Sequence, residues 1–321
     1  MNMAFLRFKY QLLSLVISNF CFSQNYSKYY TLIDSAYLFN IRGENFNSDS
    51  LYNLAFNKYA GFSTDYLFAA KNIYNEDKKL AYKYVTKALI YGEPKMSVKI
   101  FLKKNKIEFS KRQLNKANRQ KKLVKKKINC TQIRFLLFKD QYVRIFNKKN
   151  IQRQDSLNFI KLYKLINKDP RYLNRFYVGD KLSSLVEILI IHQKWDYLKT
   201  IFPLLLASVE NGLINRNLLH MVFDRESMWN QYTFRLSEEN EIVVIKNSNY
   251  KFVNKKHLYG TNIGQVQYFI NGKLTTIPLN PNLTLEDIEK LRKYIYLSTY
   301  EVYKKSHPNY YFPTVEEFEK L

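Results

Sequence analysis

The chain has few cysteines, glycines and acidic residues, and its N-terminal apolar run is too short to cross a bilayer. That run, Tyr10 to Phe22, covers about 13 residues where a spanning helix needs roughly 20. Arg7 and Lys9 precede it, Ser23 ends it, and the polar QNYSKYY follows at once. This is the three-part pattern of a signal peptide over residues 1–23, with cleavage expected near Ser23 or Gln24. The alternative, a buried first helix of a cytosolic protein, leaves those flanking residues to coincidence. Cys21 follows Ser-Asn-Phe and lacks the small residue that lipid attachment wants before its cysteine.

Loss of Cys21 with the leader would leave Cys130 alone, so no internal disulfide forms and packing must hold the fold. Cys130 is then either a buried thiol or a link between chains. The sequence contains no glycine-rich phosphate loop, no G-x-S-x-G elbow, no HExxH and no paired CxxC. The nucleotide-binding, α/β-hydrolase and zinc-peptidase signatures are therefore missing, and no cofactor or metal is implied. Acids number 27 against 52 Lys and Arg, a formal charge of +25. Such a surface attracts polyanions. Export argues against nucleic acid and for an acidic polysaccharide or a membrane surface. Heavy use of Lys, Asn, Tyr, Phe and Ile is also what an AT-rich genome writes, a second source for the charge.

Apolar residues from Tyr29 to Gly92 fall at helical spacing with alanines among them, which predicts short antiparallel helices over residues 26–102. One pair breaks around Gly43 to Ser48 and a second at Asn75 to Asp77. Asp34 and Asp65 hold similar places 31 residues apart. This stretch resembles the tetratricopeptide repeat, the second unit more closely, through Ala69, Ala70, Ala81, Ala88 and Gly92. The resemblance implies a scaffold for a protein or peptide partner. A helical cap packed on the next domain is the other reading.

Residues 103–128 form the expected boundary. Between 103 and 127 there are 12 Lys or Arg and one acid, Glu108. The segment is either a solvated linker, helical in part through Ile107, Leu114, Leu123 and Val124, or an anion clamp. The clamp would use Lys103, Lys104, Lys111, Arg112, Lys121, Lys122, Lys125, Lys126 and Lys127.

Longer helices are expected from residue 129, including one capped by Asp180 and running to about Gln193. Another spans Trp195 to Val209, with Pro203 kinking or dividing it. EIVVIK, YKFVNKK and QVQYFINGKLTTIPL then read as strands. Asn271-Gly272 turns a hairpin near 265–279. Thr284, answered by Asp287, caps a last helix to about Lys304. The fold class is mainly α, a repeat-like helical N-terminal domain and a helical C-terminal domain, 129–321, with a small hairpin or sheet.

His192 and Asp196, and His220 and Asp224, are spaced four apart, which on one helix brings their side chains to one face. Residues 131 to about 304 further resemble an uncharacterised domain family common in exported proteins of Bacteroidetes. The matching features, in order, are Asp140-Gln141-x-x-Arg144, the DSLN of Asp155 to Asn158, and Val178-Gly179. They continue with His192, Asp224-Arg225, Tyr259-Gly260-Thr261, Pro278 and Arg292. The chain departs from the family's Gln-His-x-Asp around His192, where it carries Ile191 and Lys194, and from its glutamines around Tyr259, where it carries His257 and Asn262.

The matches imply a polar cluster. Asp140, Gln141, Arg144, Tyr259, Thr261 and Asn262 are its candidate ligand-binding residues, and His192, Asp224 and Arg225 its candidate catalytic ones. His192 would be the general acid or base, oriented by Asp224, with Arg225 or Arg144 holding an anionic group. A structural ion-pair network is the competing reading. The leading function is thus an exported envelope scaffold, ahead of an envelope hydrolase and of acidic-polymer binding through the basic segment.

Overall fold

Alanine and tyrosine recur at helical spacing after Asn25, and in the computed structural model that spacing becomes a run of helices. The structure describes residues 25–123, 130–230, 232–246, 267–280, 283–314, 316–317 and 320. Helices α1 (Ser27–Ile41) and α2 (Asn45–Lys58) pack as one pair, α3 (Ser63–Ile73) and α4 (Lys78–Ile90) as a second. Gly43, at φ +77°, makes the first turn, and Asp77 caps α4 through the Leu80 N–H at 2.9 Å. Ala36, Ala55, Ala69, Ala70, Ala81 and Ala88 are wholly buried, so the backbones approach closely. Tyr29, Tyr30, Tyr52, Tyr66 and Tyr84 fill the remaining space. A buried phenol needs a partner for its hydroxyl. Tyr29 donates to Asp65 at 2.5 Å and Tyr30 to the Val209 carbonyl at 3.0 Å.

As far as Ala117 the basic segment is docked. Helices α5 (Lys95–Lys104) and α6 (Lys111–Leu123) bury Val98, Leu102, Leu114 and Ala117, Ile107 is buried between them, and α6 packs on α4. Helices α7 (Thr131–Phe146) and α8 (Ile151–Lys168) form the next pair, followed by α9 (Arg175–Val178) and α10 (Asp180–Ile191). Pro203 divides its predicted helix rather than kinking it. A short α11 (Trp195–Leu198) ends, and α12 (Phe202–Glu210) restarts with the proline in its first turn, where a missing N–H costs nothing.

Asp180 does not cap its own helix as expected, since Gly179 holds the cap position. Its carboxylate accepts the Ser63 N–H at the start of α3 at 2.6 Å, while its own N–H donates to the Tyr91 carbonyl at 2.8 Å.

The described residues on either side of the expected boundary at 103–128 fall in one unit. One compact unit holds the described residues up to Gln193 together with Tyr197–Asn215, and the second holds Lys194–Asp196 and the described residues from Arg216 onward.

In the second unit α13 (Asn217–Asn230) leads into β1 (Tyr232–Leu236), which pairs antiparallel with β2 (Ile242–Lys246) from Tyr232↔Lys246 to Leu236↔Ile242. Strand β1 was not expected from sequence. The second hairpin, β3 (Gln267–Ile270) with β4 (Lys273–Thr276), turns through Asn271 and Gly272, both at positive φ, as their residue types predicted. The strand read at YKFVNKK lies outside the described residues.

Trp195, Phe223 and Phe234 meet at tilted and edge-on angles as the aromatic centre of this unit, with Ile288, Leu291 and Ile295 buried on the helical side. The Thr284–Asp287 capping box is present at the start of α14 (Leu285–Tyr294). That helix stops short of its predicted end. Tyr296 takes φ +64°, and the chain resumes helix only at α15 (Tyr300–Lys305).

Candidate functional site

Asp140 faces inward from α7, its side chain fully enclosed, and polar groups from three helices converge on it. Arg144, one turn along, donates from Nε to Oδ2 and from Nη2 to Oδ1, each at 3.2 Å. The same Nη2 reaches Asp155 Oδ1 on α8 at 2.5 Å. Gln141 donates to Oδ2 at 2.8 Å, and His192, the residue that ends α10, places Nδ1 3.1 Å from Oδ1. Burial alone would raise the Asp140 carboxyl. The bonds from His192 and Arg144 outweigh it and hold the group at about 2. Asp155 moves the other way, raised by burial despite Arg144.

The sequence singled out Asp140, Gln141, Arg144 and His192, and the structure brings these four together. It places Asp140 Oδ1 at the His192 Nδ1. His192 and Asp196 do not share a helix face, because α10 ends before His192 and α11 begins at Trp195.

Asp140, Asp155 and His192 each offer a ligand atom, all within 4.8 Å of one another. The Arg144 guanidinium is bonded to both carboxylates. A divalent cation would have to displace that charge or sit against it, so the donor set suits an internal ion-pair network better than a metal.

A second polar centre escaped the sequence. Arg175, wholly buried, donates to the carbonyls of Ala60, Gly61 and Gly212 and to Asp180 Oδ1, the last at 3.2 Å. The rings of Phe62 and Phe176 lie 4.0 and 4.5 Å from its guanidinium. Beside it a pocket of about 190 Å³ is lined by Ser63, Glu93, Asp180, Ser183 and Glu187. Burial pushes Glu187 up to about 7 even though Oε1 accepts the Asn215 N–H. A larger hollow of about 620 Å³ lies along Tyr91, Phe176 and Leu182, with Arg134 and Lys181 at its wall. Three of the groups that hold Arg175 are backbone carbonyls, which carry no sequence signature. The legible signal was Val178-Gly179 beside it.

Asp224 and Arg225 belong to the second unit. Asp224 is buried, and with Glu289 it works against the burial that pulls Arg292 down to about 10. Arg225 lies 4.0 Å from Glu226, which accepts the Trp195 N–H. His220 does share the α13 face with Asp224, yet its Nδ1 is buried without a hydrogen bond, and burial with Arg292 and Arg216 lowers the ring to about 3. Tyr259, Thr261 and Asn262 lie outside the described residues.

Of the basic set, Lys103, Lys104, Lys111 and Arg112 are exposed. Lys121 and Lys122 fall on α6, and Lys125, Lys126 and Lys127 lie outside the described residues. No family model matches the chain, and comparison with curated proteins and with solved structures finds no match.

Proposed function

We propose that the protein is an exported cell-envelope scaffold that holds a protein or peptide partner on the helix pairs of its first unit. One observation carries this reading. Helices α2, α3 and α5 close their inner faces with alanine, tyrosine and aliphatic side chains, yet keep Phe46, Phe68, Met96 and Ile100 exposed on the outside. Large apolar side chains left in water favour a partner that removes them from it. Export is supported by the charged start and short apolar run before Ser23. Among the described residues no helix is long and apolar enough to cross a membrane.

The test is quantitative capture from envelope extract by the mature chain and by a Phe46→Ser, Phe68→Ser variant, with both folds checked by circular dichroism. A partner enriched by the parent chain and lost with the variant supports the reading, and equal recovery overturns it.

The hydrolase reading keeps one specific support, the Asp140–His192 pair. If it holds, His192→Asn abolishes turnover of an ester or glycoside panel while the melting temperature stays near that of the parent. An inactive parent chain would contradict it.

A further inference from the structure

Helix α7 is apolar on two opposite sides, and only one of them meets the core. Ile133 and Leu136 are buried, as is Asp140 with its polar partners. On the far side Phe135, Phe138, Tyr142, Ile145 and Phe146 are 52, 65, 50, 63 and 71% exposed. At 3.6 residues per turn these five occupy roughly 100° of the circumference, one continuous stripe along the whole helix. The rings are already assembled, Phe138 lying 6.2 Å from Tyr142 and Tyr142 5.2 Å from Phe146.

The charge around the stripe has one sign. Arg134 and Lys139 flank it, and the Lys139 ammonium sits 4.5 Å above the Phe135 ring. Lys148, Lys149 and Arg153 follow immediately, all exposed. From 131 to 153 the single acid is Asp140, which is enclosed and committed to Arg144 and His192. An exposed aromatic and aliphatic face with an all-cationic rim is the chemistry of a helix that lies in the headgroup layer of an anionic bilayer. Aromatic rings sit at that depth, and lysine and arginine meet lipid phosphates beside them.

We propose that α7 docks the protein peripherally on an anionic lipid surface, with Phe138, Tyr142 and Ile145 entering the interface and Lys148, Lys149 and Arg153 on the headgroups. The site is separate from the partner face on α2, α3 and α5. Loss of one therefore leaves the other measurable.

The experiment is flotation of the full mature chain with vesicles of phosphatidylcholine alone and of equimolar phosphatidylcholine and phosphatidylglycerol. A Phe138→Trp variant reports insertion by its emission. Binding to the anionic vesicles, a blue shift of Trp emission on them and weakening by salt are expected. Phe138→Ser with Ile145→Ser should lower the partition coefficient at least about tenfold, since both side chains are exposed and their loss leaves the core intact. Lys148→Glu with Lys149→Glu should remove the preference for the anionic vesicles.

Three results would overturn the proposal. One is equal flotation of parent and double-serine variant, and another is no flotation of the parent. The third is a dimer of the parent that the double-serine variant converts to monomer, which would assign the stripe to a second copy of the chain.

Discussion

His192 Nδ1 lies 3.1 Å from Asp140 Oδ1, joining the end of α10 to the buried side of α7. The carboxylate also carries the Arg144 guanidinium, so one enclosed charge holds two partners from different helices. Removing it takes the carboxylate from His192 Nδ1 and leaves Arg144 with Asp155 alone of its two carboxylates. Asp140→Asn should cost about 3–5 kcal/mol in urea unfolding, the range for breaking one side of a buried pair.

The same carboxylate sets an acid limit. Its folded value of about 2 lies below the ordinary 3.8, so the unfolded chain binds the proton more readily. The stabilisation it supplies is complete above about pH 4 and is lost as pH falls toward 2. Unfolding free energy measured across that window should drop more steeply for the parent chain than for Asp140→Asn.

Glu187 has the opposite sign. Its folded value is raised by burial from 4.5 to about 7, so ionisation between those limits opposes folding and stability falls as pH rises through them. Glu187→Gln keeps an oxygen for the Asn215 N–H and removes the charge. The variant should match the parent near pH 4 and exceed it in melting temperature at pH 8.

His220 contributes at intermediate pH. Its folded value of about 3 is far below the ordinary 6.5, so protonation of the unfolded chain draws the protein open as pH falls from 6.5 toward 3. His220→Gln should flatten that part of the melting-temperature profile while leaving the fall below pH 4 that Asp140 causes.

Gly92 should tolerate nothing larger. It takes φ +121°, and a Cβ there would lie 2.8 Å from the Asp180 nitrogen and 3.2 Å from Gly179. Gly43 also has positive φ, but a Cβ on it meets nothing within 4 Å. Gly43→Ala should cost about 1 kcal/mol and Gly92→Ala more than about 2, because the second adds a backbone collision to the strain. Paired urea titrations would measure both.

The first two helix pairs could be read from sequence because periodicity and punctuation agree there, with Gly43 and Asp77 sitting where the chain turns. The Asn271-Gly272 turn and the Thr284–Asp287 box were legible for the same reason, since each needs particular residues at fixed offsets. Strand β1 was not, being five residues directly behind a helix with no turn residue to announce it. The break at Tyr296 was hidden because a tyrosine, not a glycine, takes the left-handed conformation. Asp180 looked like a cap for its own helix, and only the close approach at Gly92 turns it toward Ser63. In the candidate site, Asp140 and His192 were both singled out, 52 residues apart, but not as a pair. Which carboxylate meets a histidine is decided by how helices cross, and spacing along the chain does not record that.

The scaffold account is tested most directly by a photo-crosslinking amino acid placed at Phe68 in the protein expressed in its own cells. A discrete adduct with one envelope protein, absent when the same group replaces the exposed Lys164 on α8, is the result expected. Crosslinking that yields the uncoupled chain alone at both positions would contradict it.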